Sequence, residues 1–240
     1  MRMRTSERGM SLIEATIILM VLAILTATLA PTLGDYVNDA RQTKAKEDVE
    51  ALGASILRML RDTGLPFPVR AAGASPSKAS TNRVDLLVTE GAIPTQTGAV
   101  GTPTVAAAAG YVVENPIEWT DAAGAEVELA TDHLVTNANA YTTVVFPASG
   151  GPRPGLGWRG GYLSTASGPD PWGVRYACTT VWLNPATDTT LATAKGTNND
   201  AFCLAAGADG NVDTDMDSSA NGGVAVGGDD LIFVIQGNTR

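Results

Sequence analysis

The chain has 240 residues and a formal net charge of −9, enough for one anchoring helix and one globular domain of ordinary size. The charge is uneven: residues 1–70 hold nine basic and eight acidic side chains, whereas residues 71–240 hold seven and seventeen. So acidic an outer part excludes the positive field that generic nucleic-acid binding requires, and it is compatible with divalent cations.

The first nine residues carry Arg2, Arg4 and Arg8 against one Glu7. Positive charge ahead of an apolar segment keeps that end cytoplasmic and sends the rest outward. Residues Gly9 to Glu14 read G-M-S-L-I-E, and the 20 residues from Ala15 to Gly34 carry no charge. As a helix that run is about 30 Å long, enough to cross a hydrocarbon core. An acid at the start of such a run is costly and needs a reason. Cleavage after Gly9 supplies one, because the new amino group of Met10 becomes a cation for Glu14. An ordinary signal peptide, cut near Ala27 to Ala30, is the competing reading and leaves Glu14 unexplained.

The pair has two possible arrangements. The Met10 amine and the Glu14 carboxylate lie about one turn apart and can neutralise each other within one helix. Between neighbouring copies the same pair selects one axial stagger, as polar groups do in other packed helices. The intermolecular arrangement is favoured here. Further along, Pro31 lacks an N–H and is expected to kink or locally open the helix near residues 27–31.

Beyond Pro31 the helical period continues with a different character. Val37, Ala40, Val49, Leu52, Ile56 and Met59 or Leu60 mark one apolar face. Charged residues, including Lys44 and Asp48, occupy the solvated face. Gly64 suits the left-handed position that ends a helix, and Pro66 cannot continue one. Counted from Met10, this predicts one helix about 80 Å long, half apolar all round and half amphipathic.

The amino-terminal residues resemble those of type IV pilins and of the pseudopilins of type II secretion, in which a prepilin peptidase cleaves after a glycine and methylates the new first residue. The resemblance implies cleavage and methylation at Gly9 and Met10, and assembly roles for Met10, Glu14 and Pro31. Met10 stands where the family usually has phenylalanine. The likeness extends to the carboxy-terminal part, in W-R-G-G-Y-L (Trp158 to Leu163), D-P-W-G-V-R-Y (Asp170 to Tyr176), G-A-D-G (Gly207 to Gly210) and G-D-D-L-I (Gly228 to Ile232). These are similar to successive landmarks of major pseudopilins, in which a loop between the last strands binds calcium.

Residues 71–165 are rich in Ala, Gly, Thr, Ser and Pro. Tyr111 to Val113 and Thr142 to Phe146 are strand-like, Ala106 to Ala109 reads as a mobile loop, and Val84 to Val88 is read as a short helix rather than a strand. Strands are expected within Val174 to Leu183, Ala201 to Ala206 and Leu231 to Gln236, with Asp170 to Gly173 as a turn. Trp172 and Trp182 are read as core. The expected fold is α+β: a long N-terminal helix, half transmembrane and half amphipathic, packed on a small antiparallel sheet, pilin-like with an enlarged central region. The segments are 1–9 leader, 10–34 membrane and assembly half, 35–64 amphipathic half, and 65–240 exported domain. Within the last, the insert runs from about 71 to 157 and the sheet from about 158 to 240.

Cys178 and Cys203 both fall in the exported part. An even count in an oxidising compartment suggests one disulfide, with two buried free thiols as the alternative. Between Gly196 and Asp230 there are seven aspartates and no Lys or Arg. Such a cluster repels itself, and a hard oxygen-seeking cation relieves that. Asp213, Asp215 and Asp217 begin like an EF-hand loop, but Ser218 and Val224 stand where the glycine and the bidentate glutamate belong, which argues against one. By the resemblance, Asp209 and Asp229 are the leading calcium ligands, with Asp213, Asp215 and Asp217 as local candidates; a solvated acidic loop is the alternative. The lone His133, with no nucleophile motif around it, is read as a surface-turn residue, so no catalysis is expected.

The reading is thus a structural subunit of a filament, closest to a major pseudopilin of type II secretion. Its expected partners are further copies of itself, the prepilin peptidase, an inner-membrane assembly platform and minor pilins or pseudopilins. The expected location is the bacterial inner membrane, spanned once with the amino terminus cytoplasmic and the outer domain periplasmic or on an extracellular filament. The central stretch is longer than the compact family pattern, which keeps a pilus subunit for adhesion, motility or DNA uptake as the alternative, beside a membrane-tethered binding protein.

Overall fold

A computed structural model describes residues 10–65, 67–70, 84, 86–96, 127–141, 156–164, 168–180, 183, 200–214 and 226–236. The chain divides into two compact units, Met1–Arg41 and Gln42–Arg240. Helix α1, Leu12–Thr63, contributes to both.

In the first unit α1 carries no charge from Ala15 to Gly34, and large apolar side chains of this unit are exposed: Leu12, Ile13, Leu19, Met20 and Leu33 each leave more than half of their surface open. Helical backbone continues through Pro31. Of the kink or local opening expected near residues 27–31, the opening is not seen, since the helix assignment runs unbroken through that stretch. Threonine hydroxyls in this stretch bond back onto the helix: Thr26 donates to the Leu22 carbonyl at 2.8 Å and Thr32 to that of Leu29 at 2.8 Å. That removes free polar groups from a surface otherwise suited to hydrocarbon.

The second unit begins where the helix gains a buried face. Ala45, Val49, Leu52, Ile56 and Met59 are almost wholly buried and Leu60 nearly so, at the predicted spacing. Val37 and Ala40, assigned to the same face by period alone, are exposed, because the buried stripe starts only at Ala45. The helix ends after Thr63 as predicted: Gly64 has φ +70° and its N–H donates to the Leu60 carbonyl at 2.8 Å.

The strands are β1 (Leu86–Val88), β2 (Thr95–Gln96), β3 (Val127–Leu129), β4 (Ala177–Thr179), β5 (Ala201–Ala205), β6 (Asn211–Val212) and β7 (Leu231–Gln236), with helix α2 (Ala130–Leu134) directly after β3. Five of them form one sheet in the order β3-β1-β4-β5-β7, and β2 pairs with β6 in a separate ribbon. β1 runs parallel to β3, while β1–β4, β4–β5 and β5–β7 are antiparallel. The sheet is therefore mixed rather than antiparallel, and the central region supplies two of its strands.

Val84 to Val88 is thus not a helix: Leu86–Val88 is a strand buried on both faces between β3 and β4. A short apolar run has no readable period when both its faces are covered, and only its neighbours decide its state. The three carboxy-terminal strands fall where expected, although β4 is shorter than the predicted run. Tyr111 to Val113, Thr142 to Phe146, Ala106 to Ala109 and Trp182 lie outside the described residues. The predicted turn forms around Asp170, whose Oδ1 accepts from the Trp172 and Val174 N–H groups at 2.9 and 2.8 Å.

One face of the sheet packs on α1 through Leu87, Cys178, Cys203, Ala205 and Ile235, with Trp172 half-buried against the same cluster. The other face gathers Leu86, Val88, Phe202 and Leu204. The alternate residues of one strand thus feed two cores. Helix and sheet are also joined by polar contacts: Tyr176 Oη donates to Asp48 Oδ2 at 3.1 Å, and Asp48 also pairs with Lys44.

The helix lies close against β7 at Gly53, where an added Cβ would lie 2.7 Å from Phe233 Cε1. Gly53→Ala is expected to lower stability by about 1–2 kcal/mol, since overpacking outweighs the ~1 kcal/mol gained in helix propensity. Combining it with Phe233→Leu should recover part of that loss in a thermal melt; additive losses would mean that the ring and Gly53 do not compete for one space.

Candidate functional site

Two regions carry the residues that the sequence singles out. The first is the start of α1. Met10 precedes the helix and is largely exposed, and Glu14 sits in the first turn. An acid there faces the positive end of the helix dipole. Among the described residues, the Glu14 carboxylate meets no cation or hydrogen-bond donor. Pro31 lies in the same helix, four to five turns further on. Gly9 lies outside the described residues. Among the described residues, one helix is long and apolar enough to cross a membrane, and it begins here.

The second region is the pair of turns at Gly207–Gly210 and Gly227–Asp230. The turn after β5 places Asp209 in the open, where the Asn211 N–H at 2.8 Å and then the Asn211 side-chain amide at 3.0 Å hold its carboxylate below the usual range. Asp229, on the other turn, accepts from the Ala208 N–H at 2.6 Å and comes within hydrogen-bonding reach of Asp209. The glycines are needed for this approach: a Cβ on Gly207, which has φ +70°, would meet the Asp229 carboxyl at 2.5 Å. A Cβ on Gly227 would run into the Asp213 backbone carbonyl.

The structure adds a residue that sequence reasoning passed over. Asp230 is buried; its Oδ2 accepts from the N–H groups of Asp213 at 2.9 Å and Thr214 at 2.6 Å, while Oδ1 is buried with no partner among the described residues. Burial raises its pKa despite those donors, and the nearby Asp213 charge adds to the rise. Its position next to Asp229 in G-D-D was the only available signal.

Calcium requires several oxygen donors around one point. The approach of Asp209 to Asp229 and the orphaned oxygen of Asp230 fit part of that requirement. Among the described residues, however, no three acidic, imidazole or thiolate groups converge on one point. A cation here therefore needs backbone oxygens or donors from residues 215–225, and the predicted candidates Asp215 and Asp217 lie in that stretch, outside the described residues.

The two cysteines form the disulfide. Cys178 of β4 and Cys203 of β5 stand directly opposite in the antiparallel register and are bonded, so the free-thiol alternative fails.

His133 is not a surface-turn residue. It lies on α2, fully buried, with Nδ1 2.6 Å from Tyr141 Oη and Nε2 2.8 Å from Glu128 Oε2. The turn-like context T-D-H-L concealed this because α2 packs beside β3, and its partners come from outside the local sequence. Comparison with protein-family models, curated proteins and solved structures finds no match to this chain.

Proposed function

We propose that this chain is a structural subunit of a type IV pilin-like filament, closest to a pseudopilin of type II secretion, assembled at a bacterial inner membrane after cleavage between Gly9 and Met10. One observation carries the reading: a helix apolar on every side, exposed along its first half, with an acid in its first turn behind a basic leader. So much contiguous apolar surface is not stable in water and calls for lipid or further copies of the same helix. The basic leader favours a cytoplasmic amino terminus, which puts the disulfide-bonded unit on the oxidising side.

The filament has a structural role, with no chemistry of its own. Its partners are the peptidase that removes the leader, the membrane platform that supplies subunits, and minor subunits. The length of the central region, which here contributes strands β1 and β3, favours as a second reading a pilus subunit for adhesion, motility or DNA uptake, or a tethered binding protein.

Amino-terminal sequencing and intact-mass measurement of the native protein test the core of this reading. The expected first residue is Met10, carrying one added methyl group. A chain beginning at Met1, or one cut near Ala27 to Ala30, would overturn it.

Calcium belongs to the same reading. Asp209 and Asp229 are the first residues that would hold it, completed by backbone oxygens or by donors from residues 215–225 such as Asp215 and Asp217, and it would neutralise carboxylates that otherwise repel each other. Adding a chelator to the full chain in detergent is expected to lower Tm by several degrees, and added calcium should restore it. An unchanged Tm would remove the ion from the account.

A further inference from the structure

The fully buried His133 belongs to none of the features used above, and its surroundings form one continuous chain of hydrogen bonds. Val69 N–H donates to Tyr141 Oη at 3.1 Å; that oxygen lies 2.6 Å from His133 Nδ1, and His133 Nε2 lies 2.8 Å from Glu128 Oε2. Asn139 Nδ2 donates to Glu128 and to the Val69 and Arg70 carbonyls, the last at 2.9 Å, and Arg70 Nε lies 3.3 Å from Glu128 Oε1. The network therefore ties the segment that follows α1, residues 67–70, to residues 127–141 within the central region. Trp158 completes it by donating to the His133 carbonyl at 3.1 Å.

We propose that the Glu128–His133–Tyr141 chain is a proton-tolerant clasp between residues 67–70 and 127–141, one that opens in acid only when Glu128 takes up a proton. The argument is an accounting of donors and acceptors. With one ring proton, Nε2–H donates to Glu128, the Tyr141 hydroxyl donates to Nδ1, and the Val69 carbonyl is served by Asn139. With two ring protons, both nitrogens donate, and the Tyr141 hydroxyl turns to the Val69 carbonyl, 3.2 Å away. No heavy atom moves between these states, and no buried group loses its partner.

Glu128 has no such freedom. With both ring nitrogens already donating, a proton on Oε1 faces the Arg70 guanidinium, and one on Oε2 faces His133 Nε2–H and the Asn139 amide, so either position sets a donor against a donor and leaves buried groups unsatisfied. The charged and titratable groups around His133 among the described residues are Arg70 from the segment after α1, Glu128 from β3, Tyr141 beyond α2, and Asp132 on α2 itself; residues 156–164 present the neutral Trp158 N–H.

The sign follows from the Glu128 environment. Burial raises its pKa, but the His133 hydrogen bond, the Asn139 amide and the Arg70 charge outweigh burial and hold it below the usual range. A depressed carboxylate contributes stability above the unfolded value of about 4.3, and that contribution is lost as pH falls through the folded value.

Hydrogen exchange on the full chain in detergent tests the clasp. From about pH 8 to about pH 5, above the ordinary carboxylate range, protection of the Val69 amide and of residues 127–141 is expected to hold within about twofold. By about pH 3, below the ordinary glutamate range, both segments should lose at least about tenfold together, the worth of one buried hydrogen bond, while β5 stays protected. Glu128→Gln, which is permanently uncharged and carries a donor, should show the same loss at neutral pH and no further acid step. Any of three results overturns the proposal: loss between about pH 8 and 5, separate losses in the two segments, or neutral-pH protection in Glu128→Gln equal to that of the unaltered chain.

Discussion

Glu14→Ala is expected to abolish polymer formation while leaving the outer domain folded. In the proposed filament the carboxylate sits in an apolar bundle opposite the amine of Met10 on an adjacent copy. Removing one partner of such a pair strands the other charge, at about 3–5 kcal/mol per contact. Each 1.4 kcal/mol is a factor of ten in association, and the loss repeats at every step of polymerisation. Glu14→Gln should be only partly rescued, since an amide keeps a hydrogen-bonding group but no charge. The measurement is the amount of polymer sheared from cells producing each variant, alongside a melt of the same protein in detergent. Normal polymer yield from Glu14→Ala would sink the pairing idea and with it the intermolecular register. Lost polymer accompanied by a lower Tm would instead point to a folding defect.

The double change Cys178→Ala and Cys203→Ala should cost the folded outer unit about 3 kcal/mol. The bond closes a chain segment of 25 residues, and the chain-entropy model assigns that order of magnitude to such a loop. It joins β4 and β5 at the centre of the five-stranded sheet, and both residues are essentially inaccessible. Losing it also leaves a small void in the core that packs on α1. The expected readout is a markedly lower denaturant midpoint with an equal or steeper slope, because the unlinked denatured chain is more open. The same midpoint in the oxidised chain and the double variant would mean that the strand pairing alone holds this part of the sheet. Because the bond is buried, reductant without denaturant should leave the native midpoint almost unaltered over short exposure.

The two effects lie at different levels of the molecule, and so does their legibility. Glu14, Gly9 and the apolar run are local features: a charge, a glycine ahead of an apolar segment and a length, each readable without tertiary contacts. The disulfide needed only a compartment argument and two available cysteines. The end of α1 at Thr63–Gly64 and strand β7 at Leu231–Gln236 were also readable, the first from glycine's access to positive φ and the second from a strand-length apolar run bounded by glycine and polar residues.

Other features were hidden for identifiable reasons. β1 was misread because its both-sided burial erases the period-two signal. Val37 and Ala40 continue the helical pattern but lie before the packed stretch, and period alone does not say where packing starts. His133 looked exposed because its partners, Glu128, Tyr141 and Val69, are placed by the meeting of β3, α2 and the segment after α1. Asp230 was counted among the acidic residues, but nothing local separated it from Asp229. One carboxylate turns outward and the other is buried with an orphaned oxygen, a difference set by the turn between Gly227 and Leu231.

Taken alone, the order of residues determined a long helix, its apolar first half, its end at glycine, and the position of one acid in its first turn. These depend on properties summed along the chain: hydropathy, helical period and the conformational range of glycine. Folding in three dimensions decided the mixed strand order, the depth at which α1 becomes buried, the cross-strand pairing of Cys178 with Cys203, and the burial of His133 within a polar network. Those depend on contacts between residues tens of positions apart, where one element covers another, and no window along the sequence contains both sides of such a contact.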